Sequence, residues 1–181
     1  MKKTTTRKPR IATPEQDGAI FSIGYGGRTD GLENPQQLHR MVLQLDATLV
    51  DCRSKPTSRK AGFGGQQLAL LFNGRYEWHG AELGGMGEGV TARGIAWLRS
   101  QKAEGRRLVL MCMEAEPWLC HRHHRIAMRA PDLGVLHIYR EPGTSLWDVF
   151  TAADVQTALL AGEEMVFPVA TLHDYYVRKS A

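Results

Sequence analysis

Residues 106–125 read RRLVLMCMEAEPWLCHRHHR. Two arginines give way to an unbroken apolar run, Leu108–Cys112. Such a run, bounded by polar segments, marks a strand buried on both faces. Strands of that kind belong to parallel sheets covered by helices. Thr91–Glu104 before it has helical spacing and is closed by Gly105. Cys120–Ala130 after it reads as a further helix. A buried strand between two helices sets the expectation of an α/β fold.

The rest of the chain repeats that alternation. Ala19–Ile23 reads as a first strand, ending in the turn Gly24-Tyr25-Gly26-Gly27. Asn34 and Pro35 then open a helix, with Gln37 placed to close a capping box. Leu38, Met41, Val42 and Leu45 form its apolar face. Ala47–Asp51 is a second strand, Lys60–Gly65 a glycine-rich loop, Gln66–Phe72 a helix and Tyr76–His79 a weaker strand. Leu83–Gly89 is again rich in glycine, Val135–Ile138 is a strand, and Thr151 and Asp154 open a last helix to about Leu160. The expected architecture is three-layer: a mostly parallel sheet with helices on both faces, Rossmann-like or flavodoxin-like. Residues 1–18 read as a basic, disordered tail, 19–165 as one α/β domain and 166–181 as a C-terminal extension.

The 181 residues carry a formal net charge of +4 and three cysteines, Cys52, Cys112 and Cys120. An odd number of cysteines in a chain large enough to bury a core fits a reducing compartment, and the expected location is cytoplasmic. No apolar run approaches the roughly eighteen residues of a membrane span. The opening MKKTTTRKPR is basic with no apolar stretch behind it, unlike a secretory signal. Lys2, Lys3, Arg7, Lys8 and Arg10 could touch a polyanion or lie solvated.

In open parallel sheets, ligands collect beyond the carboxyl ends of the strands. The segments expected to converge are therefore Gly24–Arg28, Asp51–Arg59, His79–Gly85, Cys112–Cys120 and Tyr139–Arg140. In the second of these, Asp51 ends a strand, with Arg53, Lys55, Ser58 and Arg59 after it. Guanidinium forks match phosphate and carboxylate oxygens, so this cluster could bind an anion; it could equally be a structural Asp51–Arg53 ion pair. In the fourth, Cys112 and Glu114 end the best strand, while Cys120, His121 and Arg122 begin the next helix. Glu114 is a candidate base or nucleophile, His121 can move protons near neutral pH, and a thiol here can be activated. Trp118 reads as a loop anchor or a stacking platform for a base. His121, His123, His124 and Arg125 raise the question of zinc, but no paired metal-ligand spacing is present. No metal ligand and no cofactor is assigned.

At these same residues the chain resembles the proteins grouped as domain of unknown function family 488. Ile23–Arg28 matches its Ile-Gly-Tyr-x-Gly-Arg-like turn. Asp51, Arg53, Pro56, Ser58 and Arg59 match Asp-x-Arg-x-x-Pro-x-Ser-Arg, and Leu83-Gly84-Gly85 its glycine loop. Cys112, Glu114, Pro117, Cys120, His121 and Arg122 match Cys-x-Glu-x-x-Pro-x-x-Cys-His-Arg, and Val135–Ile138 the strand that follows. The resemblance implies an α/β fold and a shared site, and supplies no reaction.

The expected catalytic groups are Asp51, Glu114, Cys120 and His121. The expected substrate contacts are Tyr25, Arg28, Arg53, Ser58, Arg59, Gly84, Gly85, Cys112 and Arg122. The leading expectation is a hydrolase or group transferase acting on a nucleotide-like or nucleic-acid substrate, with the Asp51 and Glu114 carboxylates suited to glycosidic cleavage. A non-catalytic nucleic-acid-binding module and a zinc-dependent protein are the alternatives. The oligomeric state is not legible.

Overall fold

The computed structural model describes residues 18–27, 31–140, 144, 147–162 and 170–175. Its centre is the apolar run that opened the reading. β4 (Leu108–Cys112) is buried throughout and lies between β1 (Ile20–Gly24) and β2 (Thr48–Asp51), parallel to both. β3 (Tyr76–Trp78) pairs in parallel with β2, and β5 (Leu136–Tyr139) with β1. β6 (Asp148–Thr151) and β7 (Ala170–Thr171) extend the sheet antiparallel. The order is β3-β2-β4-β1-β5-β6-β7, a mixed, mostly parallel α/β sheet.

Alternate residues of each strand feed opposite faces. On β4, Val109 and Met111 join one apolar cluster; Leu108, Leu110 and Cys112 join the other. The first cluster takes Leu38, Met41 and Val42 of α1 (Pro35–Gln44) and Leu68 and Phe72 of α2 (Gly65–Phe72). The second takes Leu83 of α3 (Gly80–Leu83), Ile95 and Leu98 of α4 (Ala92–Ala103), and Ile126 to Val135. Because both faces are apolar, the central strands show no polar alternation.

The N-caps lie where the sequence puts them, but the Gln37 side chain closes on Glu33 N, one residue before the cap's own N–H. Asn34 Oδ1 accepts from Gln37 N at 2.9 Å, while the Gln37 side chain reaches back to Glu33 N at 3.0 Å. Thr151 Oγ1 accepts from Asp154 N at 3.1 Å and opens α5 (Ala152–Ala161).

Three features differ from the expectation. The antiparallel edge was not foreseen, because β6 is four residues long and runs directly into the cap of α5. Residues 170–175, read as part of an extension, form β7 and a turn that buries Leu172 and Tyr175 in the first cluster. The expected helix over Cys120–Ala130 is instead a short π-turn, Arg122–Ala127, in which Met128 N donates to His123 O at 2.9 Å, five residues back. Most of the tail, residues 1–17, lies outside the described residues. Among those described, no helix is long and apolar enough to cross a membrane.

Candidate active site

The strand register brings the two sequence clusters to one edge. Gly24 pairs with Cys112, and Asp51 with Met111. The β1–β4 pairing continues past the strands, with Tyr25 N donating to Cys112 O at 3.2 Å and Gly26 N to Met113 O at 2.6 Å. The backbone of residues 114–115 then crosses Gly24 so closely that any Cβ there would collide with the Glu114 carbonyl. A 3₁₀ turn at Pro117–Leu119, closed by Cys120 N to Pro117 O at 3.0 Å, turns the chain back. Cys120 therefore returns beside Cys112.

The polar atoms that meet here are close. Cys112 Sγ and Cys120 Sγ donate to the same oxygen, Glu114 Oε2, at 3.0 and 3.3 Å. His121 Nδ1 lies 3.9 Å from the first sulfur and 3.6 Å from the second. A Cβ on Gly85 would stand 2.7 Å from that nitrogen, so the glycine loop lies directly against the imidazole. The other imidazole nitrogen, Nε2, is buried without a hydrogen-bond partner.

Arg122 is wholly buried behind this floor. Its Nε donates to Cys120 Sγ at 3.2 Å, Nη2 to Glu114 O at 2.5 Å and Nη1 to Ser22 Oγ at 3.4 Å. Hydrogen bonding between the two sulfurs holds the Cys120 thiol well below the usual thiol range, against the effect of burial and helped by Arg122 and His121. The same bond, together with burial, pushes Cys112 up.

A buried polar chain supports Arg122. Ser22 Oγ lies 2.6 Å from His137 Nδ1, His137 Nε2 lies 3.1 Å from His123 Nδ1, and His123 Nε2 lies 3.1 Å from Gln156 Oε1. With both rings neutral, as burial favours, the acceptor Oε1 orders the protons along it. His123 donates to Gln156 and accepts from His137, and His137 accepts from Ser22. Ser22 then accepts from Arg122. Both rings are neutral in this arrangement. Burial lowers both, with Arg122 and His123 adding to the effect on His137 and His124 on His123.

The Asp51 cluster is a closed unit. Arg53 Nε and Nη2 donate to the two Asp51 oxygens at 2.8 and 2.5 Å, and Tyr76 OH donates to Oδ2 at 2.8 Å. Arg53 Nη1 also donates to Tyr25 OH at 3.0 Å and Phe63 O at 2.9 Å. Burial works against the Arg53 charge, but Asp51 outweighs it and raises the guanidinium above its ordinary value. Burial and the Asp51 charge push Tyr76 up.

A cleft of about 580 Å³ opens over the floor. Cys112, Glu114, Cys120 and His121 line it, as do Tyr25, Arg53 and Gly85. Asp51, Ser58, Arg59, Gly84 and Arg122 do not line it. Asp51 and Arg122 act from beneath, Ser58 Oγ accepts from Tyr25 OH at 3.1 Å, and Gly84 is buried under the loop. Arg59 is exposed, and Arg28 lies outside the described residues. The expected contribution of Tyr139–Arg140 goes elsewhere: Tyr139 packs edge-on to Trp118, and Arg140 Nη2 donates to Gly31 O.

The sequence reading missed two groups. One is Ser22, His137 and Gln156; the available signal was a polar residue inside each of two otherwise apolar strands, β1 and β5. The other is the mouth of the cleft, where Met86, Met113 and Leu119 expose most or much of their apolar surface. Exposed apolar residues in loops give no periodic signal. Lys55 and Arg125, both exposed, complete the rim.

Neither a protein-family model, a curated protein nor a solved structure matches this chain.

Proposed function

We propose that this chain is a hydrolase or group-transfer enzyme acting on a nucleotide-like or nucleic-acid substrate. The observation that carries the proposal is the floor of the cleft, where two sulfurs, a carboxylate and an imidazole converge within hydrogen-bonding range. Nucleophilic and proton-carrying side chains that sit together in a cleft are the usual apparatus of proton transfer and nucleophilic attack. The rim suits a ligand with an anionic end and a flat apolar part. Lys55 and Arg125 supply positive charge, and Met86, Met113 and Leu119 supply polarisable apolar surface. The cleft volume lies within the range of small-molecule sites.

Glu114 is the proton-handling carboxylate in this reading. A glycosidic scheme with two carboxylates facing the substrate is disfavoured, because Asp51 is spent on Arg53 and Tyr76 and does not line the cleft. Single-carboxylate hydrolysis or transfer fits better. Kinship with family 488 and a three-layer, Rossmann-like architecture belong to the same proposal, supported by the motif positions and the apolar cluster on each sheet face. Reduced thiols at the floor accord with a cytoplasmic setting.

The test is a mass-spectrometric turnover screen over pooled nucleosides, nucleotides and modified DNA, with wild type beside Glu114→Gln. Wild type is expected to release a base, sugar, amine or phosphate. Glu114→Gln is expected to lose about 10²-fold or more of that rate, the usual worth of a general acid or base. No product from wild type, with nucleic-acid binding that Lys55→Ala and Arg125→Ala abolish, would instead make the chain a binding module.

A further inference from the structure

We propose that Cys112, Cys120 and His121 bind one zinc-like transition-metal ion, with Glu114 bordering its open fourth position. The ligand atoms of these three residues all lie within 4.8 Å of one another. In a tetrahedral site with Zn–S of about 2.3 Å and Zn–N of about 2.0–2.1 Å, neighbouring sulfur and nitrogen donors are roughly 3.6 Å apart. Here the two S···N separations are 3.6 and 3.9 Å. Two thiolates and an imidazole are a soft to borderline donor set, suited to zinc rather than to magnesium or calcium. Three protein ligands with an open fourth position make a catalytic rather than a structural zinc site.

The charges close around such an ion. Both sulfurs lie within hydrogen-bonding range of the same Glu114 oxygen. With a divalent ion bound, the site holds two thiolates, one carboxylate and the Arg122 cation. These sum to zero with the metal's two charges. Each thiol that still carries a proton gives it up to solvent on binding. Arg122 supports the same assignment, since its other partners, Ser22 Oγ and the Glu114 carbonyl, are neutral. A buried guanidinium needs an anion, and the sulfur at 3.2 Å is placed to be one. The Gly85 backbone lies against the His121 ring on the Nδ1 side and limits its movement. The fourth position faces the cleft, because all four residues line it. A water bound there would have its proton within reach of Glu114, which gives the hydrolytic reading its nucleophile.

The sequence hid this site because its ligands do not follow a paired spacing. Cys112 ends a strand and Cys120 follows a turn, and only the return of the chain through Pro117–Leu119 joins them.

The proposal rests on the cleft already assigned to turnover, but its readout is metal content, so the two can fail separately. The full chain is expressed without a histidine tag in zinc-supplemented medium, desalted, and its metal is measured by mass spectrometry. About one equivalent of zinc per chain is expected. His121→Ala and the double variant Cys112→Ser/Cys120→Ser are expected to retain less than about a tenth of that. Cys52→Ala is expected to keep the metal, since the Cys52 thiol points at the Met111 carbonyl. Cobalt(II) added to metal-free wild type tests the site without any substitution. It is expected to give thiolate-to-metal charge-transfer absorption, which zinc abolishes. Reduced wild type that takes up neither ion overturns the proposal. So does a Cys112–Cys120 disulfide in the freshly isolated protein, or zinc retained by a folded double-serine variant.

Discussion

Gly85 limits where the imidazole of the floor can lie. A methyl group there would sit 2.7 Å from His121 Nδ1 and 2.9 Å from Cγ, so the ring must shift from its place beside the sulfurs. Gly85→Ala is expected to lower turnover by about 10²-fold, the usual cost of a catalytic group displaced by about 1 Å. Its unfolding free energy should stay within about 1 kcal/mol of wild type, because its backbone needs no left-handed conformation. A variant with wild-type turnover would show that the imidazole position is immaterial. Asp51→Ala should behave in the opposite way. It strands a buried arginine, and removing one partner of a buried pair costs about 3–5 kcal/mol. A urea titration would read this as a lower midpoint at unchanged slope. These two residues also mark what the sequence could and could not tell. That Asp51 and Arg53 belong together was legible from their spacing along a strand. Whether the pair faced a ligand or each other depended on Tyr25, Tyr76 and the Phe63 carbonyl, which lie far away in the chain.

At the scale of the element, strands and helices were legible wherever one residue pattern decided them. β4 is the unbroken apolar run, and α1 begins where Asn34 and Pro35 place it. Removing that cap tests the local reading: Asn34→Ala should cost about 1 kcal/mol, seen as a small fall in the urea midpoint. No change would mean that packing of Leu38, Met41 and Val42 alone sets the helix start. The segment after Cys120 is helical, as its composition suggests, but shorter than read and wound as a π-helix. The π-turn widens the backbone by one residue. It buries Arg122 and His123 side by side and leaves His124 and Arg125 outside, a division that no hydrophobic pattern announces.

Across the whole molecule, the chain from Gln156 to Arg122 ties α5, the π-turn, β5 and β1 together. Two rings titrate within it, His123 and His137; the more deeply buried is His137, faced by Arg122, His123 and Cys120. Burial first, then Arg122 and His123, hold its folded value well below the ordinary one, while Cys120 pulls the other way. The unfolded chain therefore binds a proton that the folded chain refuses. The contribution to stability is fully present above the ordinary histidine value of about 6.5, and is lost as pH falls through that value towards the depressed one. Urea unfolding at about pH 7.5 and about pH 5 should show a loss of stability for wild type that is smaller in His137→Asn. Equal losses in both proteins would mean that the ring is protonated in the fold.

The two sets of positive charge at this site are insulated from the medium to different degrees. Arg122 lies wholly inside, against sulfur and backbone, whereas Lys55 and Arg125 stand in solvent at the mouth. Dissolved ions screen exposed charges beyond about 10 Å at 0.1 M and reach buried ones far less. On the proposed function, raising the ionic strength should therefore weaken capture of an anionic substrate while leaving the chemical step unaltered. Steady-state kinetics across a potassium chloride series would show KM climbing under a constant kcat. A kcat that fell in parallel would mean that the interior cation is open to the surrounding electrolyte.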